Sequence, residues 1–221
     1  MTGDPLLATP ETLWQVRQEE LLHAMEVTGV SDVRFLGYRD SGMRGSDDND
    51  HPLSLFQSDP SVVEAQIRSS VNELKPDVVF THDPTGGYGH PDHVTISERT
   101  TNVINAMGDS RPYFYYVCFP QSSFKTLWKE MTAAGITPPF AKDELDAIGS
   151  PDDYVTTIRD VSAYVDIKKA SLSQHKTQLD PNGPFNSLNR NFMDNWMSTE
   201  YFYLTSPKRG PKPNDILDQS L

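Results

Sequence analysis

The chain has 221 residues, with 31 acidic against 19 basic side chains and a formal net charge of -12. That length supports one sizeable hydrophobic core, and no break in composition marks a second, so a single domain over 1–221 is expected. The acidic balance excludes a nucleic-acid-binding surface, which needs clustered Lys and Arg to neutralise phosphates, and a lone cysteine, Cys118, excludes an internal disulfide.

No run approaches the roughly 20 apolar residues that span a bilayer. The opening MTGDPLLATPETL is too acidic and too poor in apolar residues for a signal peptide. With so few cysteines, a reducing compartment is expected and the localisation reads as cytoplasmic. Lys208, Arg209 and Lys212 form the one basic cluster, in a Pro-rich stretch read as a flexible tail over 206–221.

In chain order, Thr9 reads as a helix N-cap with Pro10 at the first helical position. Leu13, Val16, Leu21, Met25 and Val27 then line one side until Gly29 ends the helix. VRFLGY, residues 33–38, reads as a strand, and 41–57 as a polar Gly/Asp/Asn loop. A second helix is marked by apolar spacing at Val62, Val63, Ile67, Val71 and Leu74 and is stopped by Pro76. DVVF follows as a strand of the fully buried kind. A third helix runs through PDHVTISERTTNVINAMG, and YFYYVCF is a further strand. Helix alternating with strand is the pattern of an α/β domain with a parallel sheet. The second half is less regular: a helix near 121–134, a Pro-rich connection GITPPF, a β-like YVTTIRDV, and a helix in AYVDIKKASLSQHKTQ.

The stretch THDPTGGYGHPDH, residues 81–93, holds three of the six histidines. Its position after a strand of a parallel sheet is where ligands collect in such folds. Gly86, Gly87 and Gly89 allow a tight turn, Pro91 suits the first turn of the next helix, and His90 becomes its expected N-cap. His90 and His93, three residues apart, share one face at that helix N-terminus. The partial positive charge there keeps an imidazole neutral enough to bind a metal, while Asp92 can orient a ring. The arrangement suits one metal ligand and one acid/base or electrostatic histidine.

This stretch resembles the second signature of the PIG-L/LmbE-like zinc-dependent deacetylases, which act on N-acetylglucosaminyl compounds. RQEELLHAMEVTGVSDVRFLGYRDSGM and GSPDDYVTTIRDVSAYVDIKKASLSQHKTQ agree with that family in order and spacing, so the resemblance covers most of residues 9–180. It implies a Rossmann-like three-layer α/β domain with a mostly parallel sheet and an irregular C-terminal region on the substrate side. It implies Zn2+ or another divalent metal as cofactor and a small-molecule N-acetyl sugar conjugate as partner. By position, His93 matches the zinc-binding histidine and His90 the one that stabilises the oxyanion and protonates the leaving amine. Asp92 matches the carboxylate orienting that histidine, Arg17 and Asp40 match sugar-holding residues, and Tyr88 an active-site tyrosine.

The family's first signature, an Ala-His-Pro-Asp-Asp-Glu-like run supplying two more zinc ligands and the base, has no counterpart in this sequence. Pro151-Asp152-Asp153 is the only similar run and lies in the C-terminal segment, where it reads as a decoy. The resemblance therefore implies a domain whose first strands lie outside these residues, inactive as the 221-residue chain. A substitute site from His82, Asp83, His90 and His93 ranks below that, because ligation by His90 would remove the acid. Two other functions remain open. One is a non-catalytic carbohydrate-binding protein of the same fold. The other, a nucleotide-binding domain, is weak, since TGGYGHPDH lacks the third glycine of the dinucleotide fingerprint and no Walker run is present.

Overall fold

The structure, a computed structural model, describes residues 7–9, 11–179, 183 and 187–206. The expected helix start at Pro10, and the expected tail beyond Ser206, lie outside the described residues. The chain divides into two compact units: 1–35, 126–142 and 159–200 make the first, and 36–125, 143–158 and 201–221 the second.

In the first unit, α1 (Leu13–Thr28) starts three residues later than expected, with its cap at Thr12 and not at Thr9. Thr12 holds the cap position without a side-chain cap bond, and the helix ends at Gly29 with φ of 79°. α1 packs against α6 (Val165–Leu172). Glu20 of α1 is buried, and its carboxylate accepts from the Thr177 backbone N–H and hydroxyl, each at 2.7 Å, which offsets the cost of burying the charge. Leu127, Met131 and Leu188 form a buried cluster with Phe192, Met193 and Trp196 of α7 (Arg190–Met197) around it.

The second unit carries most of the sheet. α2 (Pro60–Leu74) is capped by Asp59, whose carboxylate accepts the Ser61 N–H at 2.8 Å. It ends at Lys75, in the left-handed region with φ of 47°, just before Pro76. β1 (Val78–His82) leads through the short turn α3 (Gly86–Gly89) and α4 (Pro91–Asn105) to β2 (Tyr113–Cys118), which lies parallel to β1 with Val78 opposite Tyr113 and His82 opposite Val117. β3 (Thr157–Asp160) and β4 (Thr199–Ser206) complete the order β1-β2-β4-β3. β4 runs antiparallel to β2, so the sheet is mixed. α5 (Gln121–Ala133) follows β2.

β2 is buried along almost its whole length, as its unbroken apolar run requires. One sheet face places Phe114, Tyr116 and Cys118 against Val71 and Ile67 of α2 and Ile104 of α4. β1 has β2 on one side and, among the described residues, no strand on the other, and Phe80 stays 44% exposed. Residues 33–38, expected as a strand, have no regular secondary structure and Gly37 has φ of 82°; an isolated bridge joins Arg39 to Ser54. Side chains hold that segment in the ladder's place: Gln66 of α2 donates to the Leu36 carbonyl at 3.4 Å and accepts the Tyr38 hydroxyl at 2.8 Å.

Candidate functional site

The second unit gathers Asp40, His82, Asp83, Tyr88, His90, Asp92 and His93, while Arg17 belongs to α1 in the first unit. α4 starts as the sequence predicts, with Pro91 in its first turn and His90 as N-cap: His90 Nδ1 accepts the Asp92 N–H at 3.2 Å. A nitrogen that accepts carries no proton, so the neutral ring bears its hydrogen on Nε2. Asp40 Oδ1 lies 3.7 Å from that Nε2 and an Asp92 carboxylate oxygen 4.0 Å from Nδ1.

Asp92 is held mainly by Ser41, whose N–H donates at 3.0 Å and whose hydroxyl donates to the second oxygen. Ser41 is fully buried and also accepts the Phe56 N–H at 3.0 Å, so it ties the 41–57 loop to the start of α4. Sequence reading missed Ser41, because one serine in a polar loop carries no local signal; only the fold brings it to Asp92.

His93 lies one turn into α4. Its Nδ1 is 3.1 Å from the Gly86 carbonyl oxygen, and since a carbonyl only accepts, Nδ1 carries the proton and Nε2 the lone pair. The His82 ring stacks on His93, with centroids 3.9 Å apart and planes 5° apart. Burial holds His82 down, to about 4, and the neighbouring imidazoles add to that; burial also lowers His93. Both rings are neutral around pH 7. Tyr88 stands edge-on to His93 at 5.2 Å and to His90 at 6.2 Å, with its phenol raised by burial and by the Asp40 charge.

The donor set fits a divalent cation in part. His93 meets the requirement for a metal-binding imidazole: neutral, with its other nitrogen committed to a carbonyl that fixes the tautomer. Asp40, His90 and Asp92 also offer ligand atoms all within 4.8 Å of one another. Both Asp92 oxygens, however, already accept hydrogen bonds from Ser41. Asp152 accepts from the N–H and hydroxyl of Ser122 in the first turn of α5.

Residues 2–104 match the sequence profile of the GlcNAc-PI de-N-acetylase family, PIG-L. The protein from Acidothermus cellulolyticus named 1D-myo-inositol 2-acetamido-2-deoxy-alpha-D-glucopyranoside deacetylase is 36% identical over 208 residues, covering 90% of this chain and 71% of that relative. This chain belongs to the PIG-L family. A second PIG-L relative of the same name, from Geodermatophilus obscurus, is 36% identical over 209 residues, covering 86% of this chain and 71% of its own length. A third, from Thermobifida fusca, is 34% identical over 216 residues, covering 90% and 75%. The conserved protein TT1542 from Thermus thermophilus, a solved structure, aligns with a TM-score of 0.49 at 18% identity over 90% of this chain and 75% of that one. Among the described residues, no helix is long and apolar enough to cross a membrane.

Proposed function

We propose that this PIG-L chain serves metal-dependent removal of an acetyl group from an N-acetylglucosaminyl conjugate, and that its own residues supply the oxyanion, proton-donor and sugar-holding parts of that chemistry. The observation that carries the reading is the pair at the α4 N-terminus: His90 with its proton on Nε2, and His93 with its lone pair on Nε2. Relatives named as deacetylases of an inositol-linked 2-acetamido sugar support the substrate class.

His93 would hold a divalent cation, zinc being the natural choice for an imidazole donor, and the cation would polarise the acetyl carbonyl and make water a better nucleophile. His90 Nε2–H donates to the oxygen on which negative charge develops, at a helix end whose partial positive charge favours that charge. A second proton taken up at His90 Nδ1, balanced by the one the attacking water gives up, would replace the Asp92 N–H bond by the Asp92 carboxylate beside it, 4.0 Å away in the resting arrangement. That imidazolium has a proton for the departing amine. Asp40 and Tyr88 are assigned to the sugar.

Residues 1–221 contain no His-Pro-Asp-Asp run, so by the family pattern they bring one of three metal ligands and no base. The chain by itself is therefore expected to bind the sugar and release acetate slowly or not at all. That observation favours a second reading, a carbohydrate-binding protein without catalysis. Free amine released from a 2-acetamido-2-deoxyglucosyl inositol is the test, run with zinc alongside ligand-observed NMR. Release above the blank that disappears in His90→Ala and His93→Ala establishes the enzyme; binding without release, unaffected by a chelator, establishes the second reading. Neither binding nor release overturns both.

A further inference from the structure

The carboxylate of Asp83 is 1% exposed and belongs to none of the roles above. One of its oxygens accepts three bonds from the Gly-rich turn: the Thr85 N–H at 3.0 Å, the Thr85 hydroxyl at 2.6 Å and the Gly87 N–H at 3.2 Å. Its other oxygen accepts from the buried Ser150 hydroxyl. The Gly86 N–H donates to the Asp83 carbonyl at 2.9 Å and the Gly149 N–H to the Gly87 carbonyl at 3.1 Å. Ser150 is in turn bonded to the backbone of Phe119 and Gln121 just past β2. A single buried charge thus fastens the turn after β1 to the chain after β2.

Between Thr85 and Gly87 sits Gly86, with φ of +68°. A Cβ there would come within 3.0 Å of the His93 Cβ and of Val94 Cγ2. The turn is pressed against α4 with the Gly86 carbonyl on His93 Nδ1, and that carbonyl shares its peptide plane with the Gly87 N–H, which donates to the Asp83 carboxylate and to the Thr85 hydroxyl. We propose that Asp83 is a positioning residue: by clamping Thr85 and Gly87 it aims the Gly86 carbonyl at His93 and so sets which ring nitrogen carries the proton and which is left for a ligand. The significance for metal binding rests on the role given to His93 above; the positioning itself does not.

Removing the Asp83 carboxylate leaves the Gly87 N–H with the Thr85 hydroxyl alone, at 3.2 Å, so the Gly86 peptide is held less firmly and its carbonyl no longer selects the Nδ1–H form of the His93 ring as strictly. The test is the imidazole nitrogen–proton correlation spectrum of the full 221-residue chain at pH 8, where His93 is neutral. Wild type is expected to show one His93 tautomer, Nδ1–H. Asp83→Ala is expected to give a mixture in which Nε2–H is at least as abundant. Thr85→Ala, at an exposed position that leaves the core intact, is expected to give a smaller but resolved Nε2–H fraction, and it decides the matter if Asp83→Ala does not fold. Ser150→Ala removes one buried bond to the same carboxylate but none to the turn, and is expected to keep pure Nδ1–H.

A pure Nδ1–H form in both Asp83→Ala and Thr85→Ala overturns the proposal, and so does a shift in Ser150→Ala as large as in Asp83→Ala. Added zinc is a separate arm. Zinc that perturbs another histidine ring while leaving that of wild-type His93 unmoved removes the ligand role of His93, whatever the tautomers show.

Discussion

Replacing Ser41 by Ala tests the architecture of the site without touching a ring. The hydroxyl donates to a charged carboxylate, Asp92, and accepts the Phe56 N–H at 3.0 Å from a fully buried position. A hydrogen bond to a charged group contributes about 1.5–3 kcal/mol, and a buried amide left without its acceptor costs about 1–3 kcal/mol. Asp92 keeps the Ser41 N–H bond, and its side chain is 20% exposed, so water can replace part of what is lost. The lower ends of both ranges apply, which gives a loss of roughly 2.5 kcal/mol; for a chain of this size that is a fall in Tm of about 5–10 °C. Urea unfolding followed by two probes measures it, and a double-mutant cycle with Asp92→Ala isolates the pair, with an expected coupling of about 1.5 kcal/mol. A loss below about 0.5 kcal/mol, or a coupling near zero, would show that Ser41 does not hold Asp92 and refute the geometry from which its role is argued.

Gly86→Ala forces a Cβ into a left-handed residue already at 3.0 Å from His93 and Val94, and is expected to destabilise by about 2 kcal/mol or more on thermal melting. Asn189→Ala, which removes the side chain accepting the Asn191 and Phe192 N–H groups at the start of α7, is expected to cost about 1 kcal/mol in the same assay. Burial raises the Cys118 thiol from 9.0 to about 11. A value raised on folding contributes stability that is complete below about 9 and fades as the pH rises through 11. Cys118→Ala should therefore flatten the alkaline side of the stability curve, and identical wild-type and variant slopes between those pH values would contradict this. Native Cys118 should also resist iodoacetamide at pH 8 and react on unfolding.

What the sequence revealed is what local chemistry encodes. The Asp59-Pro60 and His90-Pro91 pairs start α2 and α4 where caps and proline geometry dictate. The unbroken apolar runs become β1 and β2. What stayed hidden depends on pairing across the chain. Residues 33–38 have strand composition but find a Gln66 side chain in place of a ladder. β4 escaped notice because nothing local says that Tyr201 will lie opposite Cys118, and α7, only eight residues long, is too short for a periodic pattern. At the site, His90, Asp92, His93 and Tyr88 are legible because one short stretch carries them. Ser41 and Ser150 are not, since their partners are 51 and 67 residues away. The carboxylate expected to orient His90 is held by Ser41 as well, and in the resting arrangement it lies 4.0 Å from His90 Nδ1 while the Asp92 backbone N–H reaches the ring.

The most direct test of the account is to locate zinc on the protein. Titrating Zn2+ into the wild-type chain and following every histidine ring should perturb His93 first, through Nε2, with His82 shifting as its stacked neighbour; His93→Ala should abolish the effect while His23, His51 and His175 stay unmoved in both. Zinc that binds His93→Ala as tightly as wild type, or that leaves His93 untouched while perturbing another histidine, would contradict the assignment of a metal-dependent site to the start of α4.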